Sequence, residues 1–178
     1  RQYILDAIDA ALLCRQRYPL YYNDPTSDFQ IEKKADNSPL TIADKKAHVG
    51  YCRYLQKTPY PLLSEEGKHL PYTERCAWTT LWIVRPSGMV PKSFIKRNGE
   101  FTVNIALVRN SVPVMGVIYL PVKRELYFAE ETLGAYKLSD FTARSGASLE
   151  ELMAKAVHLP IKDDHDKFVI VASAHICL

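Results

Sequence analysis

The chain has 178 residues, 47% of them apolar and 24% charged, with a net charge of +3 when histidine is counted as neutral. That is chain enough for one ordinary domain, or one and part of another, and the balance excludes a disordered polypeptide. The charge is too slight to mark a surface for a nucleic acid polymer, although it would not oppose a small anionic substrate, and no apolar run approaches the roughly 18 residues of a membrane span. The cysteines, Cys14, Cys52, Cys76 and Cys177, are scattered without a CxxC pair or Cys/His metal spacing, which reads as free thiols in a reducing compartment. The opening RQYILDAIDA carries charge inside its apolar pattern and is not a signal peptide, so a cytoplasmic protein is expected.

In chain order, Ile4, Ile8, Ala11, Leu12 and Arg15 fall at helical spacing and predict an amphipathic helix over residues 3–17. Pro19, Asn23, Pro25 and Ser27 predict a loop over 18–28, and a short strand can form over 29–34. Asp36-Asn37-Ser38-Pro39 is turn chemistry, and Thr41 is a good N-cap for a helix through about Gln56 that Pro59 and Pro61 end. Leu62-Leu63 leads into Ser64-Glu65-Glu66-Gly67. Trp82-Ile83-Val84 reads as a buried strand, followed by an irregular loop with Pro86, Gly88 and Pro91. Phe101, Val103, Ile105 and Leu107 then alternate with Thr102, Asn104 and Ala106.

Val112 to Leu120, Leu126 to Ala129 and a run from Gly134 add strands, joined by turns at Asn110-Ser111 and Lys123-Arg124. Consecutive strands with short polar joints predict an antiparallel meander, and two helices before it predict an α+β layer arrangement. Ser139 to Ser148 is small and polar and reads as linker or long loop. A short helix is expected over Leu149 to Val157 and an apolar strand over Phe168 to Ala172. No internal repeat is evident.

Several clusters could carry chemistry. Lys34, Asp36 and Asp44 surround the start of the second helix, but Asp36 and Thr41 are good turn and cap residues, and Asp44 suits the helix dipole. The residues alone favour that structural role. Glu65-Glu66 after a buried strand end would suit a nearby cation, or form a solvated loop pair, the commoner case. Arg85, Lys92, Lys96 and Arg97 around a Gly/Pro loop could cradle a phosphate or form an exposed basic turn. Asn98-Gly99 needs no role beyond turn geometry, and the five histidines show no ligand spacing.

The order of KADNSPLTIADKKAH (34–48), LLSEEG (62–67), Trp82-Ile83-Val84-x-Pro86 and FIKRNGEFTVNIALV (94–108) resembles a bacterial 3′(2′),5′-bisphosphate nucleotidase, a branch of the inositol monophosphatase superfamily. The resemblance implies Mg²⁺-assisted hydrolysis of a nucleotide bisphosphate, adenosine 3′,5′-bisphosphate to AMP and phosphate, with metal ions neutralising the phosphate and activating a water. It implies Asp44 as the residue orienting that water, Glu65 as metal-bridging, and Glu66 beside it. Lys34, Glu65, Ser87 and Gly88 become candidate substrate contacts, and Asp36, Ser38 and Thr41 shape the pocket. The implied fold is a layered αβαβα sandwich. Residues 1–138 would supply its N-terminal α+β lobe with a largely antiparallel first sheet, and 139–178 a linker and the start of a second lobe whose C-terminal part is missing. An inositol-phosphate phosphatase of the same superfamily is an alternative, as is an inactive anion-binding or interaction module.

The metal loop departs from the family pattern. Where that pattern reads W-x-V-D-P-L/I-D-G-T, this chain reads Trp82-Ile83-Val84-Arg85-Pro86-Ser87-Gly88-Met89-Val90, with no aspartate in the loop and no hydroxyl at Met89-Val90. A guanidinium cannot ligate Mg²⁺ and puts a fixed positive charge where cations would sit. The expectation is therefore a family enzyme whose hydrolysis is impaired in this chain.

Overall fold

The computed structural model describes residues 1–22, 32–33, 39–40, 50–64, 67, 70–87 and 102–160. Helix α1 (Gln2–Tyr22) presents Ile4, Ala7, Ile8, Ala11 and Leu12 as one buried stripe, as the helical spacing requires. It runs past the predicted end, and Tyr18–Tyr22 are helical rather than loop. Pro19 lacks the N–H that would donate to the preceding turn, yet the helix continues through Tyr22. Residues 32–33 (β1, Glu32–Lys33) and 39–40 (β2, Pro39–Leu40) pair antiparallel, and the turn predicted at Asp36-Asn37-Ser38 lies outside the described residues. A helical segment over residues 50–55 (α2) contributes the fully buried Tyr51 and Leu55.

The main sheet has seven strands in the order β3-β4-β5-β6-β7-β8-β9 among the described residues. They are β3 (Leu62–Ser64), β4 (Thr80–Ser87), β5 (Thr102–Arg109), β6 (Val112–Leu120), β7 (Glu125–Glu130), β8 (Gly134–Leu138) and β9 (Val157–Leu159). β3 and β4 are parallel and the other neighbours antiparallel, so the largely antiparallel meander holds. Between β3 and β4 lies a single turn of helix, α3 (Tyr72–Arg75).

Alternation does the sorting. Trp82 and Val84, Val103, Ile105 and Leu107, Met115, Val117 and Tyr119, and Leu126 and Phe128 face α1 and α2 and are buried. Their neighbours Ile83, Asn104, Ala106, Gly116, Tyr127 and Ala129 are half-buried on the opposite face, and Arg85 and Ile118 are exposed. Each large side chain buried this way contributes on the order of 1.5–3 kcal/mol.

Turn chemistry fixes the register. Arg109 pairs with Val112 around Asn110 (φ 50°) and Ser111 (φ 64°), both left-handed as a two-residue hairpin of this twist requires. Helix α4 (Leu149–Lys155) opens on a capping box, with Ser148 Oγ accepting from Glu151 N–H at 3.2 Å and Glu151 Oε2 accepting from Ser148 N–H at 2.8 Å. Leu149 and Leu152 join the same core. The predicted helix over Leu149 to Val157 is too long by two residues, because Val157 begins β9. Three residues carry no alternation to read, and pairing with β8 decides their state. The predicted strand at Phe168 to Ala172 lies outside the described residues.

Candidate active site

Among the described residues, two of the motif-bearing stretches meet at one end of the sheet. Leu62, Leu63 and Ser64 pair with Trp82, Ile83 and Val84, so the chain leaves β3 at Ser64 beside Val84, one residue before Arg85. Gly67 N–H donates to Ser64 O at 3.0 Å. Trp82 fixes this end of the sheet. It is fully buried, its Nε1–H donates to Thr58 Oγ1 at 2.8 Å, and Tyr3 meets its ring edge-on at 6.4 Å. Thr58 in turn donates its hydroxyl to Leu55 O at 2.6 Å. The residues just after α2 are thereby tied to the strand that carries Arg85.

β4 extends further than predicted. Arg85, Pro86 and Ser87 belong to the strand, paired with Asn104, Val103 and Thr102, and are not part of an irregular loop. Among the described residues β3 stops opposite Val84, so beyond that point β4 is paired on β5 alone. A proline without an N–H is tolerated where one side of a strand carries no ladder. Arg85 is exposed, on the face away from Trp82 and Val84. Asn104, half-buried, stands directly opposite it, and Thr102 two residues away on β5. The sequence reading passed over both, because alternation gives their face but only the register gives their neighbour.

Lys34, Asp36, Ser38, Thr41, Asp44, Glu65, Glu66, Gly88, Met89 and Val90 lie outside the described residues, as do Lys92, Lys96 and Arg97. No group of three or more His, Cys, Asp or Glu among the described residues is placed to hold a metal. The described part of the loop offers a guanidinium, which does not fit a magnesium ion.

Two other charged groups tie the domain together. On the open face Lys137 Nζ lies 2.9 Å from Glu125 Oε1, and Tyr127 Oη donates to Glu125 Oε2 at 3.0 Å. The Lys137 hydrogen bond holds the Glu125 carboxyl below the usual range, against partial burial, and the same bond raises Lys137. At the other side of the sheet Arg144 grips Asp9 through two bonds of 2.8 and 2.7 Å and donates a third to Ala147 O at 2.8 Å. This pins the 141–148 loop to α1. Cys52 and Cys76 form no disulfide among the described residues, and burial pushes the Cys52 thiol up. No helix among the described residues is long and apolar enough to cross a membrane.

With this geometry in hand, residues 6–173 match the inositol monophosphatase family. The chain belongs to that family. Its solved relatives include CysQ from Bacteroides thetaiotaomicron, a bacterial family member, with 53% identity and a TM-score of 0.83 over 94% of this chain and 61% of that one. The 3′(2′),5′-bisphosphate nucleotidase CysQ of Escherichia coli K12 is 36% identical over 85% of this chain and 56% of its own length. That of Shigella flexneri is 44% identical over 61% of this chain and 44% of its own. This family member therefore spans about half the length of the curated relatives it matches. The fold agrees with the family's, including the largely antiparallel sheet.

Proposed function

We propose that this chain is the N-terminal part of a phosphomonoester hydrolase acting on nucleotide 3′,5′-bisphosphates, and that the chain as written is impaired in hydrolysis. The reading rests on family membership, on the similarity to nucleotidases named CysQ, and on one observation, the Ser64–Val84 register that joins the LLSEEG and Trp82-Ile83-Val84 stretches. On this reading Glu65 and Glu66 contribute carboxylates to a magnesium site, Asp44 orients the attacking water, and Lys34, Ser87 and Gly88 contact substrate. Residues 1–138 form one lobe, and 139–178 lead into a second. The cytoplasm is the compartment that suits it. Bound magnesium would supply charge neutralisation and an activated water, but Arg85 opposes a divalent cation, and no step is assigned through the metal in this chain.

Phosphate release from adenosine 3′,5′-bisphosphate, with and without Mg²⁺ and with Li⁺ as a control, tests this directly. The expected result is release far below that of the Bacteroides relative under the same conditions. Full Mg²⁺-dependent release would overturn the impairment. Arg85 also favours a second reading, an inactive anion-binding module, for which binding persists without any release. Inositol phosphates in the same substrate panel separate the remaining alternative.

A further inference from the structure

The face of β4 and β5 turned away from the core ends in a short polar array. Val84 and Val103 are buried on one side, and alternation sends Arg85, Asn104 and Thr102 to the other. Arg85 and Asn104 are directly opposed, which places their Cβ atoms about 4.5–5.5 Å apart. A guanidinium, a carboxamide and a hydroxyl thus stand together, and all three can donate hydrogen bonds. The cross-strand neighbour of Asn104 on β6 is the apolar Ile118. The described carboxylate on this face, Glu125, is already held by Lys137 and Tyr127. Arg85 and Thr102 each already have a partner, and a guanidinium with five N–H groups can keep one partner and still grip an anion.

We propose that Arg85 and Asn104 form a divalent-metal-independent binding site for the oxygens of a phosphomonoester. The proposal rests on the phosphoesterase reading above and specifies how this chain meets its ligand. The planar fork of Arg85 matches two phosphoryl oxygens at once, and its permanent charge does the neutralising that a carboxylate-bound cation would otherwise do. Asn104 donates from the adjacent strand and fixes the orientation of the phosphate. No bond is made or broken in this step.

The test is calorimetric titration of the whole chain with adenosine 3′,5′-bisphosphate in EDTA, then with inorganic phosphate as competitor, at two salt concentrations. Binding in EDTA that weakens with salt is expected. Arg85→Ala should weaken it about ten-fold or more, the usual consequence of losing a charged hydrogen-bond donor. Arg85→Lys should weaken it less, since it keeps the charge and loses the fork, and Arg85→Asp should abolish it. Because Arg85 is exposed, the thermal midpoints of these variants should stay at the parent value. Wild-type affinity in Arg85→Ala refutes the site, as does failure of inorganic phosphate to compete. Binding that needs Mg²⁺ and ignores Arg85→Ala removes this proposal and leaves the phosphoesterase reading standing. No binding of either ligand with or without Mg²⁺ removes both.

Discussion

Replacing Thr58 by valine should destabilise the domain far more than the loss of one half-buried hydroxyl suggests. The Trp82 indole is fully buried and its N–H donates to Thr58 Oγ1 at 2.8 Å, while the same hydroxyl donates to Leu55 O at 2.6 Å. Valine keeps the shape and removes both contacts. The indole N–H is then buried without an acceptor, which costs about 1–3 kcal/mol, and the threonine's own bond adds about 1 kcal/mol at most. A loss of about 2 kcal/mol corresponds to a fall in Tm of roughly 4–8 °C for a chain of this length. Thr58→Ser keeps the hydroxyl and should cost under about 1 kcal/mol. Trp82→Phe removes the orphan as well as the ring volume, so Thr58→Val should cost at least about 1 kcal/mol less in that background. Urea unfolding of the four variants measures this. Additive effects, or a Thr58→Val variant within about 0.5 kcal/mol of the parent, would refute the reasoning.

Arg144→Ala should lower stability by about 1–3 kcal/mol, more than an exposed pair, because both partners are only about a fifth exposed (21% and 20%) and the contact is two-pronged; thermal unfolding checks it, and Asp9→Asn in the same background should add little. Ser148→Ala removes the cap of α4 and should cost about 1 kcal/mol, with Ser148→Asp close to neutral in the same assay. Glu125 is held below its ordinary value by Lys137. Its stabilising share is therefore complete above the ordinary carboxylate range and is lost as pH falls through the lower folded value. Urea midpoints between about pH 6 and pH 2 should show a shallower acid limb in Lys137→Met. Identical limbs would remove the pair from the account.

The meander was legible because its strands are long enough to alternate and its joints use residues that tolerate left-handed backbone, as at Asn110-Ser111. Elements fixed by partners alone were not. β9 is a strand only because β8 offers it an edge, and the end of β4 was hidden by Pro86, a residue that usually argues loop. At the site, 62–63 and 82–84 were each legible as strand, but their pairing was not. That Asn104 stands against Arg85 is a matter of register, which no local pattern in either stretch contains. Arg144 and Asp9 lie 135 positions apart, and nothing in the sequence around either one announces the other.

One parallel pair in an otherwise antiparallel sheet sets the order in which this domain can assemble. β5 through β8 are joined by short connections that can zip up one neighbour at a time, with little loop entropy to overcome. β3 cannot take part in that. It precedes β4 by the fifteen residues 65–79, and a parallel partner must be reached by a crossover. Its three residues then dock on a ribbon that already exists. The edge that delivers Ser64 to the side of Val84 is for the same reason easily released, so hydrogen exchange should find the β3–β4 amides opening well before those of β5 and β6. The two halves of the candidate site meet only after the β5–β8 ribbon has formed, and they separate before it does.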